Sequence, residues 1–163
     1  MTASRKKASA SAGPTAVATN RKARHDYHIL EKFEAGIELR GTEVKSVRAG
    51  HIDLSRSYGR VENGEVFLHE LDIRPYEYGN VFNHEARRIR RLLLHKVEIK
   101  KLTGQMALKG QTLIPLRIYF RRGKAKVEIG LCKGKDSKDK RETIRRKTAD
   151  REAARIIAAH RRR

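Results

Sequence analysis

Between Tyr27 and Leu39 the odd positions Tyr27, Ile29, Phe33, Ala35, Ile37 and Leu39 are apolar, while His28, Lys32, Glu34, Glu38 and Arg40 hold even ones. A period of two places successive side chains on opposite faces, so the stretch predicts strands with one face on a core. Leu30 and Glu31 interrupt the pattern, and Glu34-Ala35-Gly36 reads as a bend between two strands. "TEVKSVRAG" predicts a short helix closed by Gly50. In "RVENGEVFL", Asn63-Gly64 lies between apolar alternations, and both residues tolerate the positive φ of a tight hairpin. A second hairpin spans "TLIPLRIYFRRGKAKVEIGL": Ile114, Leu116, Ile118 and Phe120 alternate, Gly123 turns, and Val127, Ile129 and Leu131 return. Pro115 marks an edge or a bulge in it. Between the hairpins Ile99, Leu102 and Met106 recur at helical spacing, from His95 to Gly110. There is no internal repeat. Short antiparallel strands with a few helices predict a mainly β fold, a small OB-like barrel with flanking helices, over residues 20–132.

The ends differ. Residues 1–19 are Ala/Ser-rich, basic and free of acids. They read as a disordered tail, with a transit peptide as the other compositional reading; "AVA" is too short for a secretory core. Residues 133–163 form a basic C-terminal tail. Its one apolar line, Ala149, Ala153 and Ile156, runs into His160, too thin a stripe to bury. Asp139 and Glu142 have capping-box spacing, and Lys138, Glu142, Arg146 and Asp150 alternate in sign every fourth residue. Lys147, Arg151 and Arg155 stack like charges at the same spacing. The tail is therefore expected to be disordered when free and helical once a polyanion neutralises it.

Charge gives that polyanion a class. The chain carries a net +20, with six basic groups and no acid in residues 1–24 and a net +8 in residues 133–163. Such a surplus points to nucleic acid. "RPYEYGNVFNHEARRIRR" (residues 74–91) reads as a long surface loop in which aromatics and arginines interleave, a composition suited to RNA. Tyr76 and Tyr78 are either stacking residues or caps on the core. Cys132 is the single cysteine, which excludes an intrachain disulfide and a Cys-rich zinc site and fits the reducing cytoplasm. No apolar run approaches the ~20 residues of a membrane helix. "GLCKGKDS" has too short a spacing for a phosphate-binding loop, and neither H-E-x-x-H nor G-x-S-x-G occurs. No catalytic residue, metal or cofactor is expected. Two other classes compete: a basic OB-type ribosomal protein, and an RNA-processing enzyme.

"NRKARHDY", "FEAG", "GTEVKSVRAG", "RRLLLHK", "PLRIYF", "KVEIGLCKGK" and "DKR" follow one another from Asn20 to Arg141. In that order they resemble the SmpB family, the SsrA-binding proteins. The resemblance implies an OB-like barrel that binds the tRNA-like end of transfer-messenger RNA (tmRNA). It further implies non-catalytic ribosome rescue by trans-translation, with stalled ribosomes and their ribosomal RNA as partners and the tail probing the empty messenger channel. EF-Tu and the alanyl-charging machinery enter indirectly. Carried over residue by residue, the RNA-contact set is Asn20, Lys22, Arg24, His25, Glu34, Leu93 and His95. Asn20 to His25 would form a cationic lip before the first strand. Glu34 would accept from base N–H groups or hold an arginine; without the resemblance it is a solvated turn residue. Of Leu92 to Leu94, a strand allows one to face outward. The ribosome-binding tail would comprise Gly134, as hinge, with Lys135, Lys138, Asp139, Lys140, Arg141, Arg145 and Arg146. Where relatives often carry an aromatic or histidine before "DKR", this chain has Lys138, which suits a phosphate contact better than stacking.

Overall fold

The computed structural model describes residues 16–79, 83–107 and 110–160. Along the chain the elements are β1 (Ala16–Thr19), α1 (Arg21–Asp26), β2 (Tyr27–Ile37), α2 (Gly41–Arg48), β3 (Ile52–Asp53), β4 (Tyr58–Glu62), β5 (Glu65–His69), β6 (Asp72–Ile73), β7 (Arg90–Leu93), α3 (Lys96–Met106), β8 (Gln111–Arg121), β9 (Lys124–Gly134) and α4 (Ser137–His160). The main sheet runs β1-β8-β4-β5-β7-β2-β9, all antiparallel, and β9 pairs back with β8. Six strands thus close into a barrel, with β1 added on the outer edge of β8. Closure rests on one β4–β8 pair, Gly59 with Leu113, where a Cβ on Gly59 would stand 2.8 Å from that of Leu113. A side chain there would push the seam apart.

Both predicted hairpins form. Asn63 and Gly64 have φ of 50° and 76°, as do Arg122 and Gly123, the conformation that twists with the strands. The period-two reading of β2 needs two corrections. Glu34-Ala35-Gly36 is no bend, because β2 is continuous to Ile37; the irregularity falls at Leu30, where the pairing steps from Ile29–Cys132 to Glu31–Leu131. One extra residue turns the strand over. Phe33, Ala35 and Ile37 therefore enter the barrel, whereas Tyr27 and Ile29 face a second cluster under α1. Strand β8 repeats the device: its pairing shifts between Pro115 and Arg117, so Leu113 and Ile118 join the barrel core while Ile114 and Leu116 join Cys132 and Ala23 outside it. Helix α2 contributes Val47 to the barrel core and α3 contributes Leu102.

The stretch at residues 74–91 is not all surface. His84 is buried between Thr42 (Nδ1 to Oγ1, 3.0 Å) and the Ile73 carbonyl (3.0 Å from Nε2). Arg90 is fully buried against the equally buried Glu43 of α2, with Nε donating at 2.9 Å, and it also donates to the carbonyls of Leu71, Ala86 and Arg88. Arg88 adds a second pair to Glu43, at 2.8 and 2.5 Å. Burial opposes ionisation of Glu43, but Arg88, the Arg40 amide and Arg90 outweigh it and hold the carboxyl below its usual range. This network pins α2 to β7.

At the ends, β1 occupies part of the stretch read as a tail, and residues 1–15 lie outside the described residues, as do 161–163. Strand β9 continues to Gly134, paired with Tyr27, and the Lys135 amide donates to the Asp26 carbonyl at 2.9 Å. Gly134 is the last residue of β9, and the chain leaves the barrel after Lys135. Helix α4 begins at Ser137, so Asp139 sits in its first turn and is not its cap.

Candidate RNA interface

The residues picked out by sequence fall at three places. Strand β2 sets the distance between the first two: from Tyr27 beside α1 to Ile37 beside β7 it spans roughly 30 Å at ~3.3 Å per residue.

At the β7 end, Leu93 is 52% exposed, pairs with Gly36 and lies over it, while Leu92 points into the core and Leu94 packs against it. Leu93, Leu39, Val44 and Phe120 line an open hollow of about 420 Å³ edged by Lys124 and Lys126. The Arg48 guanidinium sits 5.2 Å above the Phe120 ring. On the same outer face, two residues from Gly36, stands Glu34. It accepts the Tyr119 hydroxyl, its two oxygens lie 3.3 Å from Arg121 Nη1, and Lys126 Nζ is at 4.0 Å. The Tyr119 hydrogen bond lowers the Glu34 carboxyl most; burial opposes it, and Arg121 and Lys126 add to the lowering, so the group stays below its usual range. Burial and then Glu34 push the Tyr119 phenol up to about 12, so it remains a donor. Within the fold, Glu34 thus pairs with an arginine, Arg121. His95 is exposed just beyond Leu93, and its amide donates to Glu98 at 2.9 Å to start α3. Sequence reading missed Tyr119, Arg121 and Lys126. Their alternation along the strands was legible, but not the strand register that brings them to Glu34.

At the α1 end the expected lip is a helix. Asn20 is its N-cap and only 4% exposed: Oδ1 accepts from the Ala23 amide at 2.9 Å, and Nδ2 donates to the carbonyls of Leu54 (2.9 Å) and Pro115 (3.2 Å). Every polar atom of its amide is used within the fold, so Asn20 is a structural cap and not an exposed contact. Lys22 and Arg24 are exposed on α1, and His25 is half-buried with Nδ1 2.8 Å from Asp26 Oδ1. A cleft of about 460 Å³ adjoins them, with Lys22, Arg56, Ser55 and Tyr58 in its wall. Tyr58 stacks on His69 at 5.2 Å. Arg56 and Tyr58 had no sequence signal beyond their charge and ring.

The third place is α4. Asp139 meets His28 at 3.3 Å and Lys140 meets Asp26 at 3.5 Å; among the described residues these are the side-chain bonds that tie α4 to the barrel. Lys138, Arg141, Arg145 and Arg146 are exposed, as are Ile144, Ile156 and Ile157. Lys135 Nζ donates to the Arg24 carbonyl at 3.2 Å. No metal-binding cluster of His, Cys, Asp or Glu occurs among the described residues, and burial pushes the Cys132 thiol up to about 11, far from a reactive thiolate. No described helix is long and apolar enough to cross a membrane.

The arrangement is a closed barrel with one exposed apolar and cationic face at one end and a cationic helix leaving from the other. Residues 17–159 match the family described as SmpB protein. Curated relatives include the SsrA-binding proteins of Caldicellulosiruptor saccharolyticus, 60% identical over 82% of this chain and 85% of the relative, and of Carboxydothermus hydrogenoformans, 54% identical over 88% and 96%. A solved chain from "tmRNA-SmpB: a journey to the center of the bacterial ribosome" is 53% identical, with a TM-score of 0.65 over 79% of this chain and 94% of that one. With the barrel, its outer face and its basic tail all inside the matched span, the chain belongs to the SmpB family.

Proposed function

We propose that this protein binds the tRNA-like part of tmRNA through the barrel and brings it to stalled ribosomes for trans-translation, without catalysing a reaction. The observation that carries this reading is the 53% identity to the chain from "tmRNA-SmpB: a journey to the center of the bacterial ribosome". In this reading the RNA lies on the Leu93–Glu34 face, where Arg121, Lys124 and Lys126 meet phosphate and Leu93 packs against a splayed base or sugar. The α1 end, with Lys22, Arg24 and His25, faces ribosomal RNA in the decoding region together with the root of α4. From there Lys140, Arg141, Arg145 and Arg146 run into the channel that messenger RNA leaves empty. EF-Tu and the alanyl-charging machinery act on the RNA and meet this protein only through the complex, in the cytoplasm.

RNA that co-purifies with the protein from cells tests the reading. Sequencing should return tmRNA as the main enriched species. Ribosomal RNA fragments without tmRNA would mark a ribosomal protein instead.

A further inference from the structure

We infer that Tyr78, seated on Tyr76 beneath the reach of Lys45, is a nucleobase-stacking platform that extends the tmRNA interface across α2. Such a contact rests on the function proposed above and adds to it. Tyr78 is 85% exposed, so it is not the core cap that composition allowed. A single exposed aromatic is ordinary; this one is distinguished by how it is held. Asn83 clasps the backbone of Tyr76 from both sides, with Nδ2 donating to its carbonyl at 2.9 Å and Oδ1 accepting from its amide at 3.3 Å. The Gly79 amide donates to the same carbonyl at 2.8 Å, closing a turn around Tyr78. The two rings then pack edge to face, 5.7 Å apart at 62°. The turn sets the backbone from which Tyr78 projects and Tyr76 flanks one side of its ring, which reduces the freedom lost when a base covers it.

Charge and position name the occupant. Lys45 Nζ lies 5.3 Å from the Tyr76 ring centre, and Arg74 is exposed beside it in the chain. Glu77 lies between the tyrosines, outnumbered by these cations and Arg48. Lys45 shares α2 with Val44 and Arg48, which border the hollow holding Leu93. The platform and the proposed RNA face thus both border α2. A cationic, preordered aromatic beside an RNA surface fits an unpaired base from a loop, because duplex bases offer no free face.

The chain contains no tryptophan, so Tyr78→Trp in the full-length protein introduces a unique fluorophore. Titration with tmRNA transcript should quench its emission. Tyr78→Ala should bind the transcript at least about fivefold more weakly, with the salt slope kept, and Tyr78→Phe should bind within about twofold of wild type. Because the ring is exposed, the alanine variant should melt with wild type. Unquenched indole emission from the Tyr78→Trp protein at saturating RNA, or unchanged affinity in Tyr78→Ala, overturns the inference. So does an alanine variant that binds free RNA normally and fails only on ribosomes, since the base would then be ribosomal. Wild-type protein that does not prefer tmRNA over transfer RNA would sink the underlying function as well, and is seen before any variant is made.

Discussion

If Glu34 serves the proposed RNA face, its contacts within the fold have it do so through its neighbours rather than by touching RNA. Its carboxylate is engaged by Tyr119, Arg121 and Lys126, which leaves it little to offer a base and much to do in aiming Arg121. Glu34→Ala and Arg121→Ala should therefore each weaken tmRNA binding, and the double variant should lose no more than the worse single one. Additive losses in that cycle would mean that Glu34 meets the RNA itself. The pH dependence has a definite sign. The folded-state pKa of Glu34 is depressed, so the pairing is complete above the unfolded carboxyl value near ~4.3 and is lost only as pH falls through the lowered one. Binding should owe no change to Glu34 between about pH 5 and 8, as a titration of affinity would report. Leu93→Asp, on an exposed strand position, should lose affinity while keeping its melting transition; a collapsed transition would make that leucine part of the core. Asn20→Ala should do the reverse. Removing a cap and two buried hydrogen bonds costs about 2–3 kcal/mol of stability, read by denaturant melts, with RNA affinity of the folded fraction unchanged.

Among the elements, both hairpins, α2 and α3 were legible because local chemistry fixes them: positive-φ pairs at the turns, apolar spacing along the helices. The bulges at Leu30 and Leu116 were not. A period of two looks unbroken when an inserted residue flips a strand from one apolar environment to another, and only pairing reveals that Ile29 and Phe33 serve different cores. Helix α1 was invisible because Arg21–Asp26 is too short and polar to carry a periodicity. The buried Arg90 was hidden in a run of arginines, each of which reads as surface by composition. For α4 the residue pattern conflicts with itself, alternating charge against a like-charge row, and among the described residues the side-chain bonds to the rest of the fold are at its root, on α1 and β2. Beyond about Arg145 the free helix has little but its own hydrogen bonds, so amides there should exchange nearly as fast as an open chain in the free protein. Strong protection, with contacts from that stretch to the barrel, would give the tail a docked home and remove it from channel probing.

At the scale of the whole molecule, the contact set carried over as one interface divides. Glu34, Leu93 and His95 lie at the β7 end, while Lys22, Arg24 and His25 lie at the α1 end with the root of α4. Both groups could be named from sequence but not separated, since distance along β2 appears only once the strand is seen to be continuous. A rod-like division suits an adaptor that holds one RNA and enters another. It also implies that Arg24→Ala affects binding on ribosomes more than binding to free tmRNA. A fall of about one unit in the salt slope for the free RNA would place Arg24 on that RNA instead.

If the barrel binds the RNA and the tail acts only in the ribosome, the two activities must come apart in one variant. The Lys140→Glu/Arg141→Glu protein is measured twice, for affinity to isolated tmRNA and for tagging on ribosomes stalled at the end of a messenger. Affinity should stay within about threefold of wild type while tagging is abolished. A loss of free-RNA affinity approaching about a hundredfold, ~2.7 kcal/mol, or tagging that survives the charge reversal, would contradict that division of labour.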